Sequence, residues 1–171
     1  MTRAVRWIEA LTEATGGTAA WLVVPLALAT CWEVFSRYIL GAPTIWAFEL
    51  GYMFMGVHFL LGGAITLRRQ GHVRIDLIYA RLSPKARAWI DLVLYVGLVL
   101  PAIVLFCDRF WDYAAGAYVS GERSGNSAWN PPIWPFRMII LASFGLLGLQ
   151  VLAECLKCID AIRGRAAYPK V

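Results

Sequence analysis

The sequence predicts an all-α integral membrane protein, and three observations carry that reading. The 171-residue chain is 60% hydrophobic, with a mean hydropathy of +0.61, against roughly 45–50% apolar content in ordinary soluble domains. Charged residues make up only 16%, too few for a water-solvated surface. Four apolar runs absorb the excess, each near the roughly 20 residues that a spanning helix needs. A soluble enzyme, a disordered chain and a disulfide scaffold are thereby excluded. The net charge of +5 does not point to nucleic acid, because the basic residues lie between the apolar runs.

Spans are predicted at about 18–38, 45–67, 89–111 and 133–155, in one domain covering 1–171. Arg3 and Arg6 before the first run mimic a signal peptide. However, the run continues through Cys31, Trp32 and Phe35 to Ile39 with no small-residue cleavage pattern, so it reads as a retained helix. Thr44 is the candidate N-cap of the second span, with Trp46 at interface depth. Ser83-Pro84 opens the third with a cap and a first-turn proline. Asn130-Pro131-Pro132 does similar work for the fourth.

The remaining segments follow from these. The residues at 73–82 place Ile75, Ile78 and Leu82 at helical spacing beside Arg74 and Arg81, and predict a short interfacial amphipathic helix. The residues at 3–14, with Trp7, Ile8 and Leu11, read equally well as a second surface helix or as the inner end of the first span. The loop at 112–132, rich in Gly, Ser, Asn and Pro, is expected to be irregular.

Orientation comes from the basic residues. Arg3 and Arg6 precede the spans; Arg68, Arg69, Arg74, Arg81, Lys85 and Arg87 fill the loop at 68–88; Lys157, Arg163, Arg165 and Lys170 follow. The other two connections are poor in them. Both termini and the 68–88 loop are therefore expected in the cytoplasm.

Charges inside spans are costly, and each needs a reason. Glu33 and Arg37 are four apart with the acid first, the favourable order for an intrahelical pair. Alternatively, Arg37 reaches across Gly41-Ala42-Pro43 to Glu49. Arg137 sits in the first turn of the fourth span, where the helix dipole disfavours a cation. A partner such as Asp108, Asp112 or Glu122, or a lipid phosphate, would explain it. At the opposite end, Asp91 and Glu154 can pair with Arg87 and Lys157. All of these sit near an interface, which favours structural roles over ion coordination.

His58 lies nearest the bilayer centre and reads as a neutral imidazole hydrogen-bonded to another helix. Haem ligation by one subunit is excluded, because His72 is 14 residues on, roughly 20 Å along a helix. Cys155 and Cys158 form a C-x-x-C, the basis of a thiol-oxidoreductase alternative. It is disfavoured because the pair falls on the reducing side and no second pair completes a zinc site. Ala142, Gly145 and Gly148 form a small-residue stripe on the fourth span, where a neighbouring helix can approach closely. No midplane carboxylate pair, phosphate-cradling loop, nucleophile–base set or broken-helix pair stands out. No cofactor is expected. The chain reads as an accessory subunit.

The residues from Trp32 to Glu154 resemble the small membrane subunit, the DctQ or SiaQ type, of tripartite ATP-independent periplasmic (TRAP) transporters. The likeness runs through Arg37-Tyr38, then Pro43, Trp46, Glu49 and Leu50, then Gly71-His72-Val73-Arg74-Ile75-Asp76, then Pro84 and Arg87. It ends with Ser127 through Pro135, including Trp129, and with Gln150. The resemblance implies a bacterial inner-membrane complex, with 112–132 facing the periplasm. A periplasmic binding protein captures an organic anion such as a carboxylate. A large multi-span elevator-type subunit then moves it inward with sodium, and the small subunit braces the large one's static part. Partners are thus the large subunit, transiently the binding protein, and membrane lipids. Arg37 and Glu49 would fix the first two helices. Gly71 would break the second, so that His72–Asp76 turns into the surface helix. Arg137 stands where lysine is more usual, with the charge role intact. The outer ends, including Trp129, would border the binding protein's landing surface. A self-sufficient small homo-oligomeric transporter is the other alternative, and the substrate itself is not legible.

Overall fold

The computed structural model describes residues 3–71 and 82–165. They form six helices: α1 (Arg3–Ala20), α2 (Val23–Tyr38), α3 (Ala47–Arg68), α4 (Pro84–Leu94), α5 (Leu100–Ser120) and α6 (Trp134–Ile162). A π-helical turn, Tyr95–Val99, joins α4 to α5. No strand occurs among the described residues, only an isolated bridge between Arg123 and Pro132. Four stretches are long and apolar enough to cross a membrane: Arg3–Tyr38, Ala47–Arg68, Pro84–Ser120 and Trp134–Ile162. His72, Asp76 and all but the last residue of the predicted surface segment lie outside the described residues.

α6 is the axis of the bundle. It packs against α1, α3, α4 and α5, while α2 packs on α3. It also supplies Val151, Cys155, Cys158 and Ala161 to the main buried cluster, which Leu67, Ala88, Tyr95 and Ile103 complete. The outside is apolar: Leu28, Phe59, Leu98, Val104 and Leu105 are each more than half exposed. Such a surface needs lipid or protein against it. One end of the bundle, the basic end, carries Arg68, Arg69, Arg87 and Lys157. The other, the hairpin end, carries the connections at 39–46 and 121–133.

The first span departs from expectation. Residues 3–14 do not form a separate surface strap. They are the start of α1, which runs antiparallel along α3 and α6 with Val5, Thr12, Gly16 and Ala19 buried. Of the two readings of this segment, the packing supports the inner end of a span. The break comes at Trp21–Leu22, and Pro25 explains it. Proline has no N–H for the Trp21 carbonyl, which instead accepts from Val24 N at 3.1 Å.

Helix ends also differ in part. Ser83 caps α4 as expected, accepting from Ala86 N at 3.3 Å, with Pro84 in the first turn. Thr44 is not a cap: Trp46 occupies that position without a side-chain bond, and Thr44 binds Glu33 instead. Asn130 does not open α6 either, since the helix starts at Trp134 with Pro135 in its first turn. Gly71 is not the residue that ends α3. Gln70 adopts the left-handed conformation, φ 56°. Gln70 N and Gly71 N donate to Leu67 O and Thr66 O, the paired bonds of a Schellman motif.

The third span has the feature least visible in sequence. Pro101 cannot donate to the Gly97 carbonyl, and its ring crowds that group. The chain opens into the π turn, where Leu100 N reaches back to Tyr95 O.

Close packing of α1 on α3 depends on Gly16. A Cβ there would lie 2.8 Å from both Cβ and Cγ2 of Ile65. Gly16→Ala should therefore lower stability by about 1–3 kcal/mol through overpacking, read as a reduced Tm of the purified protein in detergent. An unchanged Tm would mean that α1 is not held against α3 in solution.

Candidate functional site

Ionisable groups inside a membrane bundle mark either function or framework, and here they gather into three clusters. The first staples the 39–46 connection to α2. Glu33 accepts from Arg37 Nε at 2.9 Å and from Thr44 N at 2.9 Å, with further contacts from Arg37 Nη2 and the Thr44 hydroxyl. The Ser36 hydroxyl closes the turn on Ala42 O. Arg37 thus pairs within its own helix and does not bridge to Glu49. Trp46 is half-buried at the start of α3.

The second cluster holds the 121–133 loop. Glu49 is fully buried, and Ser124 Oγ donates to its Oε1 at 2.6 Å. Its Oε2 has no hydrogen-bond partner. Glu49 therefore ties α3 to this loop rather than α3 to α2. Arg137 meets Glu122, the last of the acids suggested for it, through two bonds of 2.7 Å. The same guanidinium donates to Tyr113 O at 3.2 Å and lies 3.4 Å from the Tyr113 ring centroid. The fork of Arg suits this double carboxylate contact. Glu122 is outside the spans, and its hydrogen bonds from Arg137 hold its carboxyl below the usual range. Trp129 is partly exposed on the same loop, its N–H donating to Ser127 Oγ at 3.1 Å.

The third cluster, at the basic end, was not foreseen as a unit. Thr12 Oγ1 of α1 donates to Gln150 Oε1 at 3.0 Å, and Gln150 Nε2 to Glu154 Oε1 at 2.8 Å, all three side chains buried. Gln70 Nε2 reaches Glu154 Oε2 at 3.3 Å. Lys157 Nζ lies 2.7 Å from Glu154 and 2.5 Å from Glu9. Nearby, Glu13 pairs with both Arg68 and Arg69. The signal lay in the spacing of Gln150, Glu154 and Lys157, one polar face on an otherwise apolar helix.

The other candidates separate. His58 Nδ1 donates to Ala19 O at 3.0 Å, beside the break in the first span. A Cβ at Gly148 would meet Ile103 at 3.2 Å, whereas one at Gly145 would meet nothing within 4 Å. The stripe thus has one glycine turned inward and one turned outward. Cys155 and Cys158 are buried and unbridged. Among the described residues, no group of three His, Cys, Asp or Glu is arranged to hold a metal.

Chemically, this is a set of ties among the helices and the loops that join them. The profile of the tripartite ATP-independent periplasmic transporter DctQ component matches residues 26–161. The chain belongs to the DctQ family. DctQ proteins are transporter subunits, not enzymes, and this chain is a small permease subunit of that type, a multi-pass membrane protein. It is also similar to the sialic acid TRAP transporter small permease protein SiaQ of Vibrio cholerae serotype O1, at 29% identity over 79 residues. That alignment covers 46% of this chain and 46% of SiaQ, less than half of each. No solved structure matches significantly.

Proposed function

We propose that this DctQ subunit braces the static part of a large elevator-type membrane subunit in sodium-coupled uptake of an organic anion such as a carboxylate. A periplasmic binding protein delivers the anion. One observation carries the reading: the charged side chains of the three clusters, Glu49 apart, pair with one another, while the outer surface is largely apolar. Glu154, Lys157 and Glu9 close on themselves, as do Arg137 with Glu122 and Arg37 with Glu33. That pattern suits a rigid support better than a substrate path. The complex lies in the bacterial inner membrane, with the basic end and both termini in the cytoplasm.

Within this reading, Arg37, Trp46, Glu49 and Arg137 shape the hairpin end, and Trp129 borders the binding protein's landing surface. Gly145 and Gly148 belong to the helix-packing faces. The experiment is affinity purification of the tagged chain from native membranes in mild detergent. A stoichiometric large multi-span protein is expected, and the chain reconstituted alone should show no flux. A homo-oligomer without a partner, or flux by this chain alone, would overturn the proposal.

A further inference from the structure

The outward half of the glycine stripe belongs to a longer feature. Between 142 and 156, the exposed residues of α6 are Ala142, Gly145, Leu149, Leu152 and Leu156, and Met138 continues the line. Their alternating steps of three and four are the spacing of a helix–helix seam. Small residues sit at its middle, where backbones can approach closely. Toward the hairpin end the seam opens into an apolar groove of about 290 Å³ between α5 and α6, walled by Trp111, Ala115, Tyr118, Trp134 and Met138.

What lies on this groove is constrained by charge. Phe106 and Phe110 both stack on Phe144, with centroids 5.3 and 5.7 Å apart. Asp108, between them on α5, therefore sits at the level of Phe144. The charge-free part of α6 runs from Met138 to Ala153, so Asp108 lies about 9 Å inside it. Asp108 shares the groove-side line of α5 with Trp111, Ala115 and Tyr118. Its side chain is 67% exposed, and its salt bridge to the neighbouring Arg109 is long, 4.0 Å. Asp112, one turn on, is exposed too. Short carboxylate side chains at that depth cannot face acyl chains without cost.

We propose that this groove holds one membrane-spanning helix of a second polypeptide, which lies along Ala142 and Gly145 and brings a basic side chain to Asp108 and Asp112. Resting on the function proposed above, that polypeptide is the large membrane subunit. Lipid would tolerate the leucines of the seam but not the carboxylates. A second copy of this chain would have to place one of its own basic residues there.

The test uses the complex from native membranes, with a tag on this chain. Gly145 is exposed and a Cβ there meets nothing within 4 Å, so the ring of Gly145→Trp points outward and would block a helix in the groove. Recovery of the large partner should fall at least tenfold. Asp108→Asn with Asp112→Asn should reduce it several-fold, and Leu28→Trp, on the outer face of α2, should not. Undiminished recovery in the first two variants would overturn the inference and leave the small-subunit reading intact. Absence of any large partner from the wild type would overturn both. If a variant loses its own Tm, Gly145→Cys carrying a photo-crosslinker, in a chain with Cys31 and Cys107 replaced by serine, decides instead. An adduct at the mass of the large partner supports the proposal. Adducts with lipid alone, or with a second copy, overturn it.

Discussion

Lys157→Met should loosen α1 from α6 more than any other single substitution at the basic end. The ammonium sits between Glu9 and Glu154, whose side chains are 15% and 3% exposed. Without it, the buried Glu154 and the part-buried Glu9 carboxylates are left close together, and only the amides of Gln150 and Gln70 still donate to Glu154. Removing one member of a buried charge cluster typically costs about 3–5 kcal/mol, because the remaining charge is left uncompensated. The effect is read as a fall in Tm in detergent, with protease cutting first in α1. Lys157→Arg should retain most of the stability. The triple change Lys157→Met, Glu9→Gln, Glu154→Gln should recover most of what Lys157→Met loses, because no charge remains to be matched. If Lys157→Met melted like the wild type, the cluster would be hydrated and would not hold the first span.

Arg137→Met should open the α5–α6 hairpin. Arg137 is 4% exposed, and its guanidinium serves Glu122, Tyr113 O and the Tyr113 ring at once. Glu122 is 46% exposed and can rehydrate, so the loss should be smaller than at Lys157 but still several degrees in Tm. Arg137→Lys should be intermediate, because an ammonium cannot make the two parallel bonds. The pair also sets a pH dependence. Arg137 lowers the Glu122 pKa in the folded protein. The stabilisation is therefore present above the unfolded carboxylate value, about 4.3, and is lost as pH falls through the depressed folded value. Wild type and Glu122→Gln should differ in Tm from neutral pH down to that value, then converge at more acid pH. A constant difference at all pH values would place the stabilisation elsewhere.

The spans were legible because hydropathy over roughly 20 residues is a strong signal and bilayer thickness fixes its length. Which charges meet was less so. Arg37 had two acids within reach, Glu33 and Glu49, and only the fold shows that Thr44 completes the Glu33 site while Ser124 takes Glu49. Arg137 had three acids to choose from. Glu122 wins because α5 runs on past the predicted end of its span to Ser120, bringing the following loop over the start of α6. Thr12 and Gln150 are 138 positions apart, and nothing local in the sequence joins them. Helix breaks were hidden for a different reason. Pro25 and Pro101 sit inside apolar runs whose hydropathy is undisturbed by them, so the runs read as continuous.

The π turn before Pro101 sets the azimuth of everything above it. Ala88, Tyr95, Ile103, Phe110 and Ala117 form one line along the packed side of this span. They recur every seven positions, except for eight between Tyr95 and Ile103. In an unbroken α-helix the extra residue would swing the upper half by about 100° relative to the lower. The turn swallows it as a skip residue, and both halves stay in phase. A one-residue deletion between Tyr95 and Val99, made together with Pro101→Ala, would restore a plain α-helix and keep Asp108 and Trp111 aimed as they are. The same deletion a few positions later, above the turn, would rotate them off the groove. Which way Asp108 points is thus decided about three turns below it.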